Sequence, residues 1–131
     1  MKAITIRQPW ATLIADGVKL FETRSWKTNY RGRLAIHSAK KWDRYGQQAL
    51  EAFYPKLIEY RTKAMPCGYI LAITTLVDVV PVEKIRYKLT PLQLHIGHYD
   101  NGWYAWKLED VEWPTFPIPV TGKLGLWEWN R

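Results

Sequence analysis

The stretch Gly17-Val18-Lys19-Leu20-Phe21-Glu22-Thr23-Arg24 gathers an amine, a carboxylate and a guanidinium at fixed spacing. Gly17 reads as the stop of a short helix, and a side chain just after such a stop can lean over a cleft. An ammonium placed there grips a phosphate as a point charge. With its pKa depressed by burial and neighbours, it can also serve as a base. Glu22 and Arg24 lie two apart on an expected strand, so their side chains share a face. Glu22 can accept from the exocyclic amine of a cytosine or adenine. Arg24 can hold that carboxylate or take a phosphate through two N–H groups. Lys19 and Glu22 are therefore the candidates for any catalysis. The same three residues equally compose a plain ion-pair network at the mouth of a sheet, and both readings stay open here. Ser25, Trp26, Tyr30 and Arg31 add a hydroxyl, two aromatic faces and another cation. Lys40 and Lys41, followed by Trp42, add a basic run that suits a phosphate-tracking rim. Together these residues form the candidate nucleic-acid-binding set.

Other chemistries find less support. His95 and His98 are three apart, but there is no HExxH pattern and no cysteine cluster, so no metal and no cofactor are expected. His37 either lines the cleft or bridges backbone groups. Cys67 is the lone cysteine, which rules out an internal disulfide and suits a packed bystander. No assembled Ser-His-Asp or Cys-His arrangement can be read from the chain.

The elements that must position these residues follow from periodicity. Lys2–Arg7 alternates as a first strand. Pro9 suits the first turn of a helix ending near Gly17, with Trp10, Leu13 and Ile14 on its buried stripe. Leu20–Trp26 and Arg33–Ser38 read as strands joined by a turn that includes Gly32. From Trp42 the spacing turns helical through Tyr45, Ala49, Phe53, Leu57 and Ile58, with a kink expected at Pro55. The β-branched run Gly68–Val80 suits a central strand. Glu83–His98 reads ambiguously, as a helix followed by a loop. Gly102–Val111 alternates again. Pro114, Pro117 and Pro119 suggest an extended edge crossing, and Lys123–Trp129 a final strand. The expectation is one α+β domain over residues 1–131, a small and mostly antiparallel β-barrel with two or three helices.

Composition sets the class of partner. The chain has 131 residues, 47% of them hydrophobic and 24% charged, enough for a core without staples. Its formal net charge is +7, which favours a polyanion. Eight Trp and eight Tyr supply flat faces for unpaired bases. No apolar run is long enough to span a bilayer. Met1–Trp10 has no signal-peptide character, so the expected location is the cytoplasm, or the nucleus in a eukaryote.

The octapeptide matches the signature G-x-K-x-x-E-x-R. Ile4-Thr5-Ile6-Arg7-Gln8-Pro9-Trp10-Ala11 precedes it, and Ser25-Trp26, Tyr30-Arg31-Gly32-Arg33-Leu34 and Ala35-Ile36-His37-Ser38-Ala39 follow. Gly125-Leu126-Trp127-Glu128-Trp129 completes the likeness. Over nearly its whole length the chain resembles the ASCH family, named for activating signal cointegrator homology. The resemblance implies a PUA-like β-barrel with a cleft beside the motif, and an association with RNA or single modified bases. It also implies two alternatives to plain binding. One is a hydrolase acting on RNA or a nucleoside, either as a ribonuclease or as an N4-acetylcytidine amidohydrolase. The other is a protein-interaction domain of the transcription-coactivator type. The acetylcytidine hydrolases carry Thr where this chain has Glu22, which argues against that deacylation. A metal-assisted cut in RNA is the expected activity if there is one, since Glu22 or Asp100 could help hold a divalent ion on substrate phosphates. The leading expectation is a nucleic-acid-binding domain that holds a base or nucleotide of RNA or a single strand beside the motif.

Overall fold

A computed structural model describes residues 1–52 and 65–130. In chain order the elements are β1 (Lys2–Gln8), α1 (Trp10–Ala15), β2 (Phe21–Arg24), β3 (Gly32–Trp42), α2 (Arg44–Ala52) and β4 (Tyr69–Pro81). Two 3-10 turns, Val82–Lys84 and Arg86–Lys88, lead to α3 (Pro91–His95), β5 (Tyr104–Glu112), β6 (Ile118–Pro119) and β7 (Leu126–Glu128).

The strands form one sheet in the order β2-β5-β4-β3-β1-β7, with β6 added to β4. Among the described residues only β1 and β3 run parallel, with Ile4 opposite Ile36, and the remaining pairs are antiparallel. The class is the expected α+β, mostly antiparallel. Among the described residues the ladder is an open path from β2 to β7 rather than a closed ring.

Alternation along β1 and β3 sends side chains to two cores. Ile4, Ile6, Leu34 and Ile36 meet α1, Leu76, Trp106 and Leu108 on one face. Ala3, Ala35, Ile70, Ile73, Trp127 and Trp129 fill the other. With both faces covered, Leu34–Ser38 is buried without interruption, His37 and Ser38 included. α1 is buried at every position from Ala11 to Ala15, so Leu13 and Ile14 sit in a helix that is covered nearly all round. In β5, Trp106 and Leu108 point inward while Lys107 and Glu109 face solvent and pair at 3.6 Å.

Several boundaries differ from expectation. Trp42 ends β3, where it pairs with Gln8, instead of opening the helix. Sheet pairing outweighs the helical spacing there. Leu20 lies outside β2 and is exposed. Glu83–His98 resolves into the two turns and α3, whose start is fixed by Thr90 accepting from Gln93 N and by Pro91 in the first turn. The final strand is only Leu126–Glu128, because Gly125 turns the chain with φ +65°. The proline-rich crossing is edge structure, with Pro119 opposite Tyr69. The expected helical positions Phe53, Pro55, Leu57 and Ile58 lie outside the described residues.

Candidate functional site

Chain reversal after α1 sets the position of Lys19. Gly17 adopts φ +75°, and the amides of Val18 and Lys19 both return to Leu13 O. This pulls Lys19 back over the helix and turns its side chain inward. Lys19 is only 3% exposed, so it does not lean over an open cleft as expected. Its Nζ donates to Ile96 O at 2.7 Å, lies 3.9 Å from Glu22 Oε1, and sits 5.5 Å above the Trp10 ring. Burial lowers its pKa from the ordinary 10.5 to about 8; Glu22 opposes the shift and Arg24 adds to it.

Glu22 and Arg24 meet on β2. Glu22 Oε2 accepts from Arg24 Nε at 3.0 Å and lies 2.9 Å from Nη2, a side-on two-point contact. Glu22 Oε1 accepts from Thr23 N at 3.1 Å. Arg24 Nη2 also donates to Thr5 O on β1, 2.9 Å away. Glu22 is thus an organiser held by its neighbours. Arg24 keeps about a quarter of its side chain in solvent (24%) and carries the exposed edge of the cluster. Thr23 points the other way, and its Oγ1 accepts from His98 N at 2.8 Å. The signature therefore pins the loop after α3 twice, at Ile96 by Lys19 and at His98 by Thr23.

The other candidates divide. Ser25 is exposed. Trp26 packs edge-on against Trp106, with centroids 4.9 Å apart, and its carbonyl accepts from Trp106 Nε1. Tyr30 packs on the core and donates its hydroxyl to Arg33 O. These two aromatics are structural in this arrangement. Arg31 donates to Thr28 O and Tyr30 O and lies 3.7 Å from Asp78. Lys40 and Lys41 are exposed at the far end of β3. Two residues on from Lys41, Asp43 Oδ2 accepts from Nε1 of Trp10, the ring beneath Lys19, at 2.9 Å.

His37 bridges rather than lines a cleft. Trp127 Nε1 donates to Thr5 Oγ1, so that hydroxyl's own proton goes to His37 Nδ1, and His37 Nε2 donates to Val120 O at 2.7 Å. Burial holds its pKa below the ordinary 6.5. His98 stacks on Trp103 with centroids 3.7 Å apart and pairs with Asp100 at 3.0 Å. Cys67 is half-buried, and burial pushes its thiol up, which disfavours the thiolate. Among the described residues no group of three or more His, Cys, Asp or Glu is placed to hold a metal.

Sequence reasoning missed Trp10, Asp43 and Ile96 O as members of the site. Ile96 contributes a backbone carbonyl, which no residue type announces. Trp10 was legible only as a member of a buried stripe.

The fold defines an α+β domain whose sheet carries a buried Lys–Glu pair and a partly open Arg at one end. The family model described as ASCH domain matches residues 4–115. The chain belongs to the ASCH domain family. Activating signal cointegrator 1 from Homo sapiens is 34% identical over 130 residues, covering 95% of this chain and 22% of that protein. The Mus musculus protein of the same name is 25% identical with the same coverage. The chain thus spans 22% of the length of these relatives. ASCH from Zymomonas mobilis superposes with a TM-score of 0.54 at 19% identity, covering 91% of this chain and 73% of that one. A substituted form of the same protein gives 0.55 at 17% identity, covering 91% and 75%. These structures share the fold. Among the described residues, no helix is long and apolar enough to cross a membrane.

Proposed function

We propose that this domain binds nucleic acid, RNA or a single strand, and holds one nucleotide against the outer edge of Arg24. The supporting observation is the way that guanidinium is fixed. Glu22 takes its Nε edge and Thr5 O takes Nη2, while part of the side chain remains in solvent. A cation held this way before binding loses little rotamer freedom when it meets a phosphate or a base edge. The net charge of +7 supplies long-range attraction for the same partner.

The hydrolase alternative draws less support from the geometry. Glu22 is occupied by Arg24 and Thr23 N, and the neighbouring hydroxyl, Thr23 Oγ1, is bonded to His98 N. The human and mouse relatives' name favours a second reading, an interaction module of a coactivator assembly. Oligonucleotide binding lost on substitution of Arg24 would favour the first reading.

The test is filter binding of single-stranded oligonucleotides across salt concentrations, together with crystals soaked in nucleosides and nucleotides. Affinity should fall with a log–log slope of about −0.7 per phosphate contact. Arg24→Ala should weaken binding roughly tenfold or more with the fold intact, and nucleotide density should lie beside Arg24. Binding by Arg24→Ala equal to the parent would overturn the site.

A further inference from the structure

The segment Lys40–Tyr45 forms a ridge where β3 hands over to α2. Lys40, Lys41, Trp42, Arg44 and Tyr45 are all exposed, Trp42 to 43% and Tyr45 to 77%. Leaving an indole and a phenol ring in water forgoes hydrophobic stabilisation that a fold would ordinarily capture. Three cations interleaved with the two rings repeat the pattern of a surface for single strands, cations for phosphates and rings for bases. The one carboxylate in the segment is already engaged, since Asp43 Oδ1 accepts from Tyr45 N at 2.9 Å and Oδ2 from Trp10 Nε1 at 2.9 Å. Arg7 adds another exposed cation on β1, whose next residue, Gln8, pairs with Trp42.

The ridge is held firmly. Asp43 N donates to Gln8 O at 2.7 Å, anchoring the hand-over to β1. Gly46 packs directly on Pro9 and Trp10, where a Cβ would fall 2.2 Å from Pro9 Cδ. The Trp10 indole that fixes Asp43 also lies under Lys19.

We infer that the ridge Lys40–Tyr45 is a sequence-tolerant docking surface for a single-stranded nucleic acid, with Lys40, Lys41 and Arg44 on successive phosphates and unpaired bases stacked on Trp42 and Tyr45. This deepens the proposed function, on which it rests, by placing the run of the strand away from the nucleotide held at Arg24. Duplex nucleic acid satisfies the cations but offers no free base faces to the rings.

The test uses fluorescence anisotropy with labelled oligouridylate and a mixed-sequence duplex, on the full chain. The variants are Lys40→Ala/Lys41→Ala/Arg44→Ala and, separately, Trp42→Ala/Tyr45→Ala, with thermal unfolding confirming that both remain folded. The triple variant should lose at least tenfold in affinity at low salt and flatten the log–log slope by about 2 for three lost phosphate contacts. The aromatic variant should lose about tenfold per ring for oligouridylate and leave the salt slope unchanged. Parental affinity and slope in the triple variant would overturn the ridge, even where Arg24→Ala weakens binding and so upholds the motif site. An aromatic variant that binds like the parent, with duplex bound as tightly as oligouridylate, would overturn the single-strand assignment in favour of general polyanion attraction. Loss in the ridge variants with none in Arg24→Ala would uphold the ridge and remove the nucleotide from Arg24. No binding of any strand by the parent would remove both.

Discussion

Trp10 and Asp43 tie the two basic regions of this domain together. The indole Nε1 donates to Asp43 Oδ2 at 2.9 Å, while the face of the same ring lies 5.5 Å from Lys19 Nζ. One side chain thus sets both the buried amine and the first turn of α2, and disturbing the fit of α2 on Pro9–Trp10 should reach both.

Gly46→Ala tests that fit. In the interior of an exposed helix, alanine would stabilise by about 1 kcal/mol over glycine. Here its Cβ would lie 2.2 Å from Pro9 Cδ and 2.9 Å from Cγ. A proline ring packed on the chain cannot swing aside as a flexible side chain would, so overpacking should win, with a net loss of about 1–3 kcal/mol. Urea unfolding checks this, and a stabilised variant would show that α2 is free of Pro9.

Glu22→Gln should destabilise the domain by about 3 kcal/mol, because it leaves a buried ammonium and a partly buried guanidinium without their shared carboxylate. The same substitution removes the one charge that raises the Lys19 pKa. Lys19 should then titrate below its present value of about 8, as an NMR titration of the labelled lysine would record. An unchanged lysine titration would mean that the 3.9 Å pairing carries no energy.

These contacts mark the limit of what residue types reveal. The G-x-K-x-x-E-x-R spacing placed Glu22 and Arg24 on one face of a strand, and the structure has them in contact. It did not give the inward turn of Lys19, which depends on two amides returning to Leu13 O and on a carbonyl 77 residues away. Composition counted the aromatics but could not sort them. Trp26 and Tyr30 stand beside the motif yet pack inward, whereas Trp42 and Tyr45, on a segment whose spacing predicts a helix throughout, face solvent. Pairing of Trp42 with Gln8, a long-range relationship, keeps Trp42 in β3 and delays α2 to Arg44.

His37→Gln should flatten the loss of stability on mild acidification. The Trp127–Thr5–His37–Val120 relay requires a neutral ring with its proton on Nε2, and burial holds the folded pKa below the ordinary 6.5. As pH falls from 6.5 toward the folded value, the unfolded chain takes up a proton that the folded chain resists, so stability is lost in that direction. Denaturation midpoints at neutral and mildly acidic pH, compared between parent and variant, check it. The variant should also be weaker throughout by about 1–3 kcal/mol, since glutamine cannot satisfy both partners in place. An equal acid sensitivity in the two proteins would assign the effect to other groups.

Lys19 gives the opposite end of the pH scale. Its pKa falls from 10.5 in an unfolded chain to about 8 in the fold, so between those values the unfolded state holds a proton that the folded state has released. Stability should therefore rise with pH through that window. Tyr99 acts the other way, because burial and Glu22 hold its phenol above the ordinary 10 and its titration erodes stability beyond that point. Burial also raises the Cys67 thiol above its ordinary 9.0, which opposes Lys19 in the upper part of the window, so the gain of about 2–3 kcal/mol from Lys19 between about 8 and 10 is read as the difference between parent and variant. Lys19→Met keeps a straight apolar chain in the same space and removes the titration, along with the bond to Ile96 O. Chemical denaturation of both proteins at closely spaced pH values should show the parent curve rising relative to the variant curve across that interval. A rise of equal steepness in Lys19→Met would place the titrating group elsewhere and return Lys19 to an ordinary, solvated amine.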